Sequence, residues 1–192
     1  MEAAMTIYDQ IRTYVPFNEQ EAEDQKELLK WLDSGLDIWS RECRAGHMTA
    51  SAWIVSPDRK KVLMAYHKLY DSWSWLGGHA DGEHDLTRVA LKEVMEESGL
   101  SDCRLVSDEI YSLEILTVDG HEKKGVYVPS HLHLNVTYLI EADPSLPIRP
   151  KPDENKAVQW FERDDAVSAS SEPWFRERIY SKLNRKLTDL SQ

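Results

Sequence analysis

The apolar and polar positions between residues 18 and 35 predict the first helix of the chain. Asn18 and Glu21 have the spacing of an N-cap and its capping-box partner, and Gly35 supplies a left-handed stop. The apolar stripe is narrow, so we expect this helix to pack on the surface of the core. The residues of the stripe are Ala22, Gln25, Leu28, Leu29 and Leu32.

The segments that follow Gly46 predict strands. The runs TASAWIVS at 49–56 and KVLMAYH at 61–67 flank a turn signal at 57–59, which predicts a hairpin. Further strands are predicted at 110–118, 131–141 and 158–161. The segment 143–153 is predicted to be a loop because it contains Pro144, Pro147, Pro150 and Pro152.

Two more helices complete the pattern. One is predicted from Asp85, a side-chain N-cap, to Ser98, with Gly99 as its left-handed stop. The other begins near Ser171 and carries apolar residues four positions apart at Phe175, Ile179, Leu183 and Leu187. Its basic residues are interpreted as a solvated face that complements the helix dipole. They are Arg176, Arg178, Lys182, Arg185 and Lys186.

Composition limits the chain to one domain and excludes several classes of protein. With 192 residues, 41% apolar and 30% charged, it can bury one good core. No apolar stretch reaches the roughly 18 residues of a membrane span, and the opening segment lacks the features of a signal peptide. We therefore expect a soluble cytoplasmic protein. Cys43 and Cys103 have no metal-ligand spacing and are interpreted as reduced thiols.

The net charge of -11 argues against nucleic acid and against anionic membranes as partners, because both require a cationic surface. An acidic protein can still bind an anionic substrate when a divalent cation reverses the local field. Composition permits such a site without showing it.

The segment from Gly77 to Leu100 carries the candidate chemistry. Glu93, Glu96 and Glu97 are related by three and four positions, so their carboxylates share one helix face. Like charges at this spacing cost about 0.2–0.5 kcal/mol per pair, and the last helical turn is unfavourable for anions. Mg²⁺ removes this penalty because it prefers oxygen ligands and can link carboxylates to phosphates. A solvated acidic face is the alternative interpretation.

The surrounding residues favour the metal site. Counted from Gly78, the segment resembles the Nudix box, Gly-x5-Glu-x7-Arg-Glu-U-x-Glu-Glu-x-Gly-U, where U is apolar. The matching residues are Gly78, Glu93, Val94, Glu96, Glu97, Gly99 and Leu100. Two positions depart from the pattern: His84 replaces the first glutamate, with Glu83 one residue early, and Lys92 replaces the arginine. Lys92 keeps a positive charge that can hold a glutamate.

The resemblance extends from about Met48 to about Asp165 and implies a fold. The expected fold is a Nudix-type α/β/α sandwich with a mixed sheet and helical extensions at both ends. We expect residues 1–45 to form an N-terminal helical extension on the core, 46–168 the Nudix hydrolase domain, and 169–192 a C-terminal helix of the same compact unit.

The resemblance also implies a reaction, Mg²⁺- or Mn²⁺-dependent hydrolysis of a diphosphate linkage in a small molecule, most simply a nucleoside diphosphate derivative. Glu93, Glu96, Glu97 and the carbonyl of Gly77 resemble the metal ligands of the family. Glu93 and Glu97 are the candidate catalytic residues, with Glu93 orienting or deprotonating the attacking water. Glu122, Glu141 and Glu154 are reserve candidates for the base. Gly78, Lys92 and Glu83 are expected to support the site.

Five residues are candidates for substrate binding, each with an ordinary alternative. Trp75 can stack on a base or pack in the core. His131 and His133 should leave the same face of one strand, where they can contact phosphate or metal or remain structural. His79 and Lys68 can reach phosphate or stay solvated.

Two other functions remain open. Isopentenyl diphosphate isomerase shares the fold but has Cys-Gly-His at the turn where this chain has Gly77, Gly78 and His79, which disfavours isomerisation. A Nudix-like ligand-binding or regulatory module without catalysis is the second alternative. The sequence does not identify the diphosphate substrate, and the terminal helices can either cap the core or build a homodimer.

Overall fold

The computed structural model describes residues 5–123 and 125–190. Its helices are α1 Ile7–Thr13, α2 Glu19–Asp33, α3 Leu86–Ser98, α4 Arg163–Ala169 and α5 Ser181–Asp189, the last preceded by a π-helical stretch Phe175–Tyr180. Its strands are β1 Gly46–Val55, β2 Lys61–His67, β3 Ser72–Ser74, β4 Leu76–His79, β5 Arg104–Leu105, β6 Ser112–Val118, β7 His121–Lys123, β8 Val126–Val128, β9 His131–Glu141 and β10 Asn155–Glu162.

Eight of the strands form one mixed sheet. The central order is β10-β2-β1-β9-β5; β3 adds to β2, β4 to β1, and β6 to β9. β1 and β9 run parallel over their whole length, and the other pairs are antiparallel. β7 and β8 form a separate two-stranded ribbon. The mixed sheet predicted for an α/β/α sandwich is confirmed.

The long strand β1 pairs with two strands along one edge. Ile54 and Val55 pair with β2, whereas Thr49–Ala52 pair with β4. β4 is the strand that contains the glycine pair. The division of β1 therefore places those glycines beside the middle of the sheet.

The two faces of the sheet carry separate apolar clusters. The cluster that includes α3 takes alternate residues of β1, namely Met48, Ala50, Ala52 and Ile54. The cluster on the other face contains Trp53 and Val55 and packs against the helices of the C-terminal part, through Ala166, Ile179, Tyr180, Leu183 and Leu187. This alternation is the period of two expected of a strand buried on both faces.

Several predicted elements are confirmed at their boundaries. The hairpin is formed by β1 and β2, and the strands 61–67 and 131–141 are found as predicted. Asp85 caps α3 by accepting the amide N–H of Thr87 at 3.1 Å, and Gly99 ends the helix with φ 67°. Asn18 caps α2 by accepting the N–H of Glu21 at 3.0 Å. These signals are local, so the sequence carries them completely.

Other expectations were wrong. A short helix, α1, precedes the helix predicted as the first. The strand predicted at 158–161 extends over Asn155–Glu162, and the strands β3, β4, β5, β7 and β8 and helix α4 were not predicted. Short strands have too few residues for an alternation pattern to show in the sequence.

Helix α2 covers the edge strand β6. The side-chain amide of Gln20 donates to the carbonyl of Leu113 at 3.1 Å, and the carboxylate of Asp24 accepts the N–H of Ile115 at 3.0 Å. Both backbone groups would otherwise be unpaired at the sheet edge. The helix predicted to pack on the core surface therefore also completes the hydrogen bonding of the sheet.

The interpretation of the last helix as a solvated basic face was wrong for Lys186, whose side chain is 12% exposed and lies 3.1 Å from Glu21, and above all for Lys182. Its side chain is fully buried, and its Nζ lies 3.0 Å from a carboxylate oxygen of Glu114 and 3.1 Å from one of Glu21. Both glutamates are also fully buried. Burial opposes ionisation of Glu21, but Lys182 and Lys186, together with hydrogen bonds from Phe17 and Tyr14, outweigh it and lower the pKa of Glu21. This ion cluster joins α2, β6 and α5.

In the described residues, every helix is too short or too polar to span a bilayer.

Candidate active site at the glutamates of helix α3

Glu97 is the most buried of the three glutamates on α3. It is 4% exposed, and its two oxygens accept hydrogen bonds from the N–H of Gly77 and the side-chain amide of Asn155, both at 3.0 Å. Gly77 comes from β4 and Asn155 from the start of β10. Two distant strands therefore fix the orientation of this carboxylate. Sequence reasoning missed Asn155, which carries no local signal.

Burial changes the acidity of Glu97. It raises the pKa of the carboxyl to about 7, although the hydrogen bonds from Asn155 and Gly77 act in the opposite direction. The neighbouring Glu93 and Glu154 raise it further. A carboxylate at this position is thus electrostatically under-compensated by the protein, which is the condition that a bound cation relieves.

The glycine pair is required by close packing on both sides of β4. A Cβ on Gly77 would lie 2.6 Å from the carbonyl oxygen of Ala50. A Cβ on Gly78 would lie 2.4 Å from the carboxyl carbon of Glu93. Glycine at these positions lets β4 approach β1 on one side and α3 on the other.

The carbonyl of Gly77 faces the same side as its N–H. The N–H donates to Glu97 and so points away from β1. In an antiparallel pair, both backbone groups of one residue point to the same edge of the strand. The carbonyl oxygen of Gly77 is therefore directed to the Glu97 side, as a metal ligand there requires.

The other two glutamates of the helix, Glu93 and Glu96, lie in different environments. The side chain of Glu93 is 13% exposed, and burial raises its pKa. Glu96 lies 3.5 Å from both Lys92 and Lys151. Lys92 thus holds a glutamate as expected. Lys151, which the sequence did not single out, contributes a second cation from the proline-rich loop.

The donor set fits a hard divalent cation. Each carboxylate oxygen of Glu97 accepts one hydrogen bond and has a second lone pair available for a metal ion. Glu93 provides a second carboxylate, which is half-buried. Within the described part of the chain, the Oδ1 of Asn155 is buried without a hydrogen-bond partner. Carboxylate and carbonyl oxygens are the ligands that Mg²⁺ prefers.

His84 and Glu83, the residues at and beside the first glutamate position of the box, contact other parts of the chain. His84 is exposed and stacks on Trp39, with ring centroids 4.1 Å apart. Glu83 accepts the N–H of Asp85 at 3.0 Å and lies 3.4 Å from Arg88. The contacts of Glu83 are with the beginning of α3, so they support the helix start and do not place it beside Glu93.

Trp75 packs in the core and Lys68 lies at the surface, as their alternatives to substrate binding predicted. Trp75 is 9% exposed and packs edge-on against Phe175 and Tyr180 in the second core cluster. Lys68 is exposed, and its ammonium donates to the carbonyl of Pro152. Contact of either residue with substrate stays a prediction.

The three predicted histidines lie together. His131 and His133 leave the same face of β9, with ring centroids 5.1 Å apart, and His79 lies 4.9 Å from His133. His47 of β1, which the sequence did not single out, lies 5.1 Å from His79.

Of the reserve bases, Glu154 lies beside the glutamates of α3. It is 3.2 Å from Lys151, which also contacts Glu96. Glu141 instead accepts from Arg104 at 3.1 Å, and Glu122 is exposed on β7.

Replacing Gly78 with alanine is expected to displace Glu93 and lower kcat/KM by about 100-fold, since a misplacement near 1 Å can cost that much. The new Cβ would meet the carboxyl carbon of Glu93 at 2.4 Å. Steady-state kinetics and thermal melting would measure the effects on activity and stability. In a Glu93→Ala background the clash is absent, so Gly78→Ala should add little. Equal losses of activity in both backgrounds would contradict this account.

Comparison with known proteins identifies a family domain that includes the glutamates of α3. The model of the NUDIX domain family matches residues 46–183. A comparison with curated proteins returned no match. Among solved structures, a Caenorhabditis elegans Ap4A hydrolase aligns with TM-score 0.52 at 19% identity, over 75% of this chain and 96% of that one.

Two further structures share the fold. A NUDIX family hydrolase from Clostridium perfringens aligns with TM-score 0.51 at 24% identity, covering 76% of this chain and 98% of its own. The Escherichia coli dihydroneopterin triphosphate pyrophosphohydrolase aligns with TM-score 0.52 at 16% identity, covering 70% and 92%. At these identities the likeness establishes the fold.

Proposed function

Because this chain belongs to the Nudix family, whose hydrolases cleave pyrophosphate bonds, we propose that it does so with Mg²⁺ on a nucleoside diphosphate derivative. The observation that carries the proposal is the environment of Glu97. A buried carboxylate is held by Gly77 and Asn155 and lies beside Glu93 on the same helix face. A merely solvated acidic face would not be buried or oriented in this way.

The proposed role of each residue in the site follows from its environment. Glu93, Glu96, Glu97 and the carbonyl of Gly77 would hold the cation. When bound, Mg²⁺ neutralises charge on the bridging phosphates and favours attack by water at phosphorus. Glu97 cannot rotate freely, because both of its oxygens are bonded to separate strands.

Glu93 is the proposed residue that orients or deprotonates the attacking water. Its side chain is partly exposed and burial raises its pKa, so it can accept a proton more readily than an ordinary glutamate. It is also free of the two hydrogen bonds that fix Glu97. Glu154 is the reserve base that the structure supports, because it is linked to Glu96 through Lys151.

Cations at the rim help the site to accept an anionic substrate despite the net charge of -11. Lys92 and Lys151 lie within 3.5 Å of Glu96. Arg41 lies near enough to Glu93 and Glu154 for both to raise its pKa, after the larger effect of its hydrogen bond to Asp81. Phosphate oxygens can bind such side chains once a metal ion has neutralised the glutamates.

A substrate panel with and without metal tests the proposal. The purified chain would be incubated with nucleotide sugars, ADP-ribose, NADH, oxidised nucleoside triphosphates, a dinucleoside tetraphosphate and dihydroneopterin triphosphate, each with Mg²⁺, Mn²⁺ or EDTA. We expect release of phosphate, pyrophosphate or a nucleoside monophosphate from at least one compound, and its loss in EDTA.

Two other outcomes would reject parts of the proposal. Turnover that persists in EDTA would reject the metal requirement while leaving hydrolysis intact. Metal-dependent ligand binding by folded protein, with no turnover of any compound, would support the binding-module alternative.

A further inference from the structure

A group of histidines lies on the face of the sheet that is turned away from α3. His47, His79 and His133, called here the three-histidine cluster, come from β1, β4 and β9. In the sheet register His47 is opposite His133, and Thr49 is opposite His79. Because the Cβ direction of Gly78 points at Glu93, the next residue, His79, points to the other face. The cluster is therefore separate from the glutamates.

The three rings lie next to one another. Their centroids are 5.1 Å apart for His47 and His79, 5.3 Å for His47 and His133, and 4.9 Å for His79 and His133. One ring nitrogen from each lies within 4.8 Å of the other two. Ligand nitrogens of a tetrahedral zinc site are about 3.3 Å apart, given Zn–N bonds of about 2.0–2.1 Å. Coordination would therefore draw the three ring nitrogens closer together.

Two ring nitrogens of the three-histidine cluster are buried and have no hydrogen-bond partner in the part of the chain that the structure describes. They are the Nε2 atoms of His47 and His133. The Nδ1 of His47 lies 3.2 Å from the carbonyl oxygen of Cys43, which identifies it as the protonated nitrogen and leaves a lone pair on Nε2. Buried polar atoms are rarely left unpaired, so these nitrogens indicate an additional ligand.

The electrostatics favour neutral imidazoles. Burial lowers the pKa of His133 to about 2, and it also lowers the pKa of His47. Neutral rings present lone pairs, as metal coordination requires. Binding of phosphate would instead require protonated rings or free N–H donors directed at one point.

We propose that His47, His79 and His133 bind one Zn²⁺ ion at a site distinct from the glutamates of α3. Imidazole nitrogen suits Zn²⁺, whereas Mg²⁺ prefers oxygen, so the two sites select different cations. Three protein ligands leave a fourth position. His131, whose ring centroid is 4.9 Å from that of His47 and 5.1 Å from that of His133, is the neighbouring side chain that can complete it.

Spectroscopy of the full chain tests this site independently of hydrolysis. Protein freed of metal by a chelator would be titrated with Co²⁺, a coloured substitute for Zn²⁺, in excess Mg²⁺ to occupy oxygen-ligand sites. We expect one Co²⁺ per chain, with the intense visible absorption of a four-coordinate site, and displacement of Co²⁺ by Zn²⁺. His79→Gln and His133→Gln are each expected to weaken binding by about 100-fold or more, since removing a ligand should cost at least as much as removing its supporting partner.

Matched variants separate coordination from folding. His67→Gln removes a half-buried histidine that accepts the N–H of Leu69 and packs on Tyr70, and it should leave Co²⁺ binding unchanged. Glu97→Gln should also leave the spectrum unchanged. His79 is less buried than His47, so His79→Gln is the variant expected to fold normally by circular dichroism.

Three results would overturn the proposal. The first is that the wild type binds neither Co²⁺ nor Zn²⁺. The second is that Co²⁺ binding is unchanged in both folded histidine variants. The third is that the wild type binds inorganic phosphate but no metal ion, and that phosphate binding is lost in His79→Gln. Failure of the hydrolysis assay would leave this spectroscopic result standing, because the readout involves no substrate.

Discussion

Replacing Glu97 with glutamine is expected to lower kcat by about 10²–10⁴-fold, the contribution typical of a positioned acid–base or charge-bearing group. Glutamine keeps the size of the side chain and can still accept the N–H of Gly77. It cannot provide the negative charge that a divalent cation requires. The measurement is steady-state hydrolysis of whichever panel compound the wild type cleaves, at saturating Mg²⁺.

The same variant should be more stable than the wild type without metal at alkaline pH. Burial raises the pKa of folded Glu97 to about 7, against 4.5 for the unfolded chain. The contribution of Glu97 to wild-type stability is therefore fully present below pH 4.5 and is lost as pH rises toward 7, by on the order of 3 kcal/mol. Glutamine does not titrate, so Glu97→Gln should lack this loss when unfolding is measured in EDTA across that range.

Together the two measurements distinguish lost chemistry from lost folding. Glu27→Gln, on the exposed face of α2, is the control and should change neither kcat nor the pH dependence of stability. A Glu97→Gln protein that remains active within a few fold of the wild type would remove Glu97 from the proposed metal site. A destabilised variant at pH 8 would show that burial of this carboxyl is better compensated than we infer.

Replacing Lys182 with methionine is expected to destabilise the protein by about 3–5 kcal/mol, the usual effect of removing one partner of a buried ion pair. Lys182 lies 3.0 Å from Glu114 and 3.1 Å from Glu21, and all three side chains are fully buried. Glu21 keeps Lys186 at 3.1 Å, whereas Glu114 would lose its ion pair with Lys182. Chemical denaturation at neutral pH would measure the change.

A second substitution identifies the cause of that loss. Lys182→Met combined with Glu114→Gln removes the uncompensated charge and should recover part of the stability. Lys26→Met, which breaks an exposed pair with Glu23, should change stability by less than about 1 kcal/mol. A loss of similar size in Lys26→Met and Lys182→Met would contradict the role assigned to the buried cluster.

Part of the candidate site could be predicted because helix geometry is local. The spacing of Glu93, Glu96 and Glu97 places them on one face wherever the helix lies, and Asp85 and Gly99 fix its two ends. The hairpin and the proline-rich loop follow from equally short signals. The family resemblance rested on the same segment, and the match to the NUDIX domain family confirms it.

Contacts between distant strands could not be predicted in this way. Asn155 bonds to Glu97 across 58 positions, and the register between them depends on how β4, β10 and α3 pack. His47 joins His79 and His133 only because β1 pairs with both β4 and β9. Lys151 contacts Glu96 from the loop at 143–153, and the prolines of that loop predicted its irregular structure but not this contact.

The sequence by itself thus determined the helix that carries the glutamates, the glycines beside it and the family to which they belong. Tertiary structure decided which of these groups are desolvated, and the sequence pattern misjudged this for Lys182, which resembled a solvated residue and is buried. The physical reason is that side-chain spacing is set by the backbone over a few residues. Burial, pKa and metal-ligand geometry are set by segments that meet only in the folded chain.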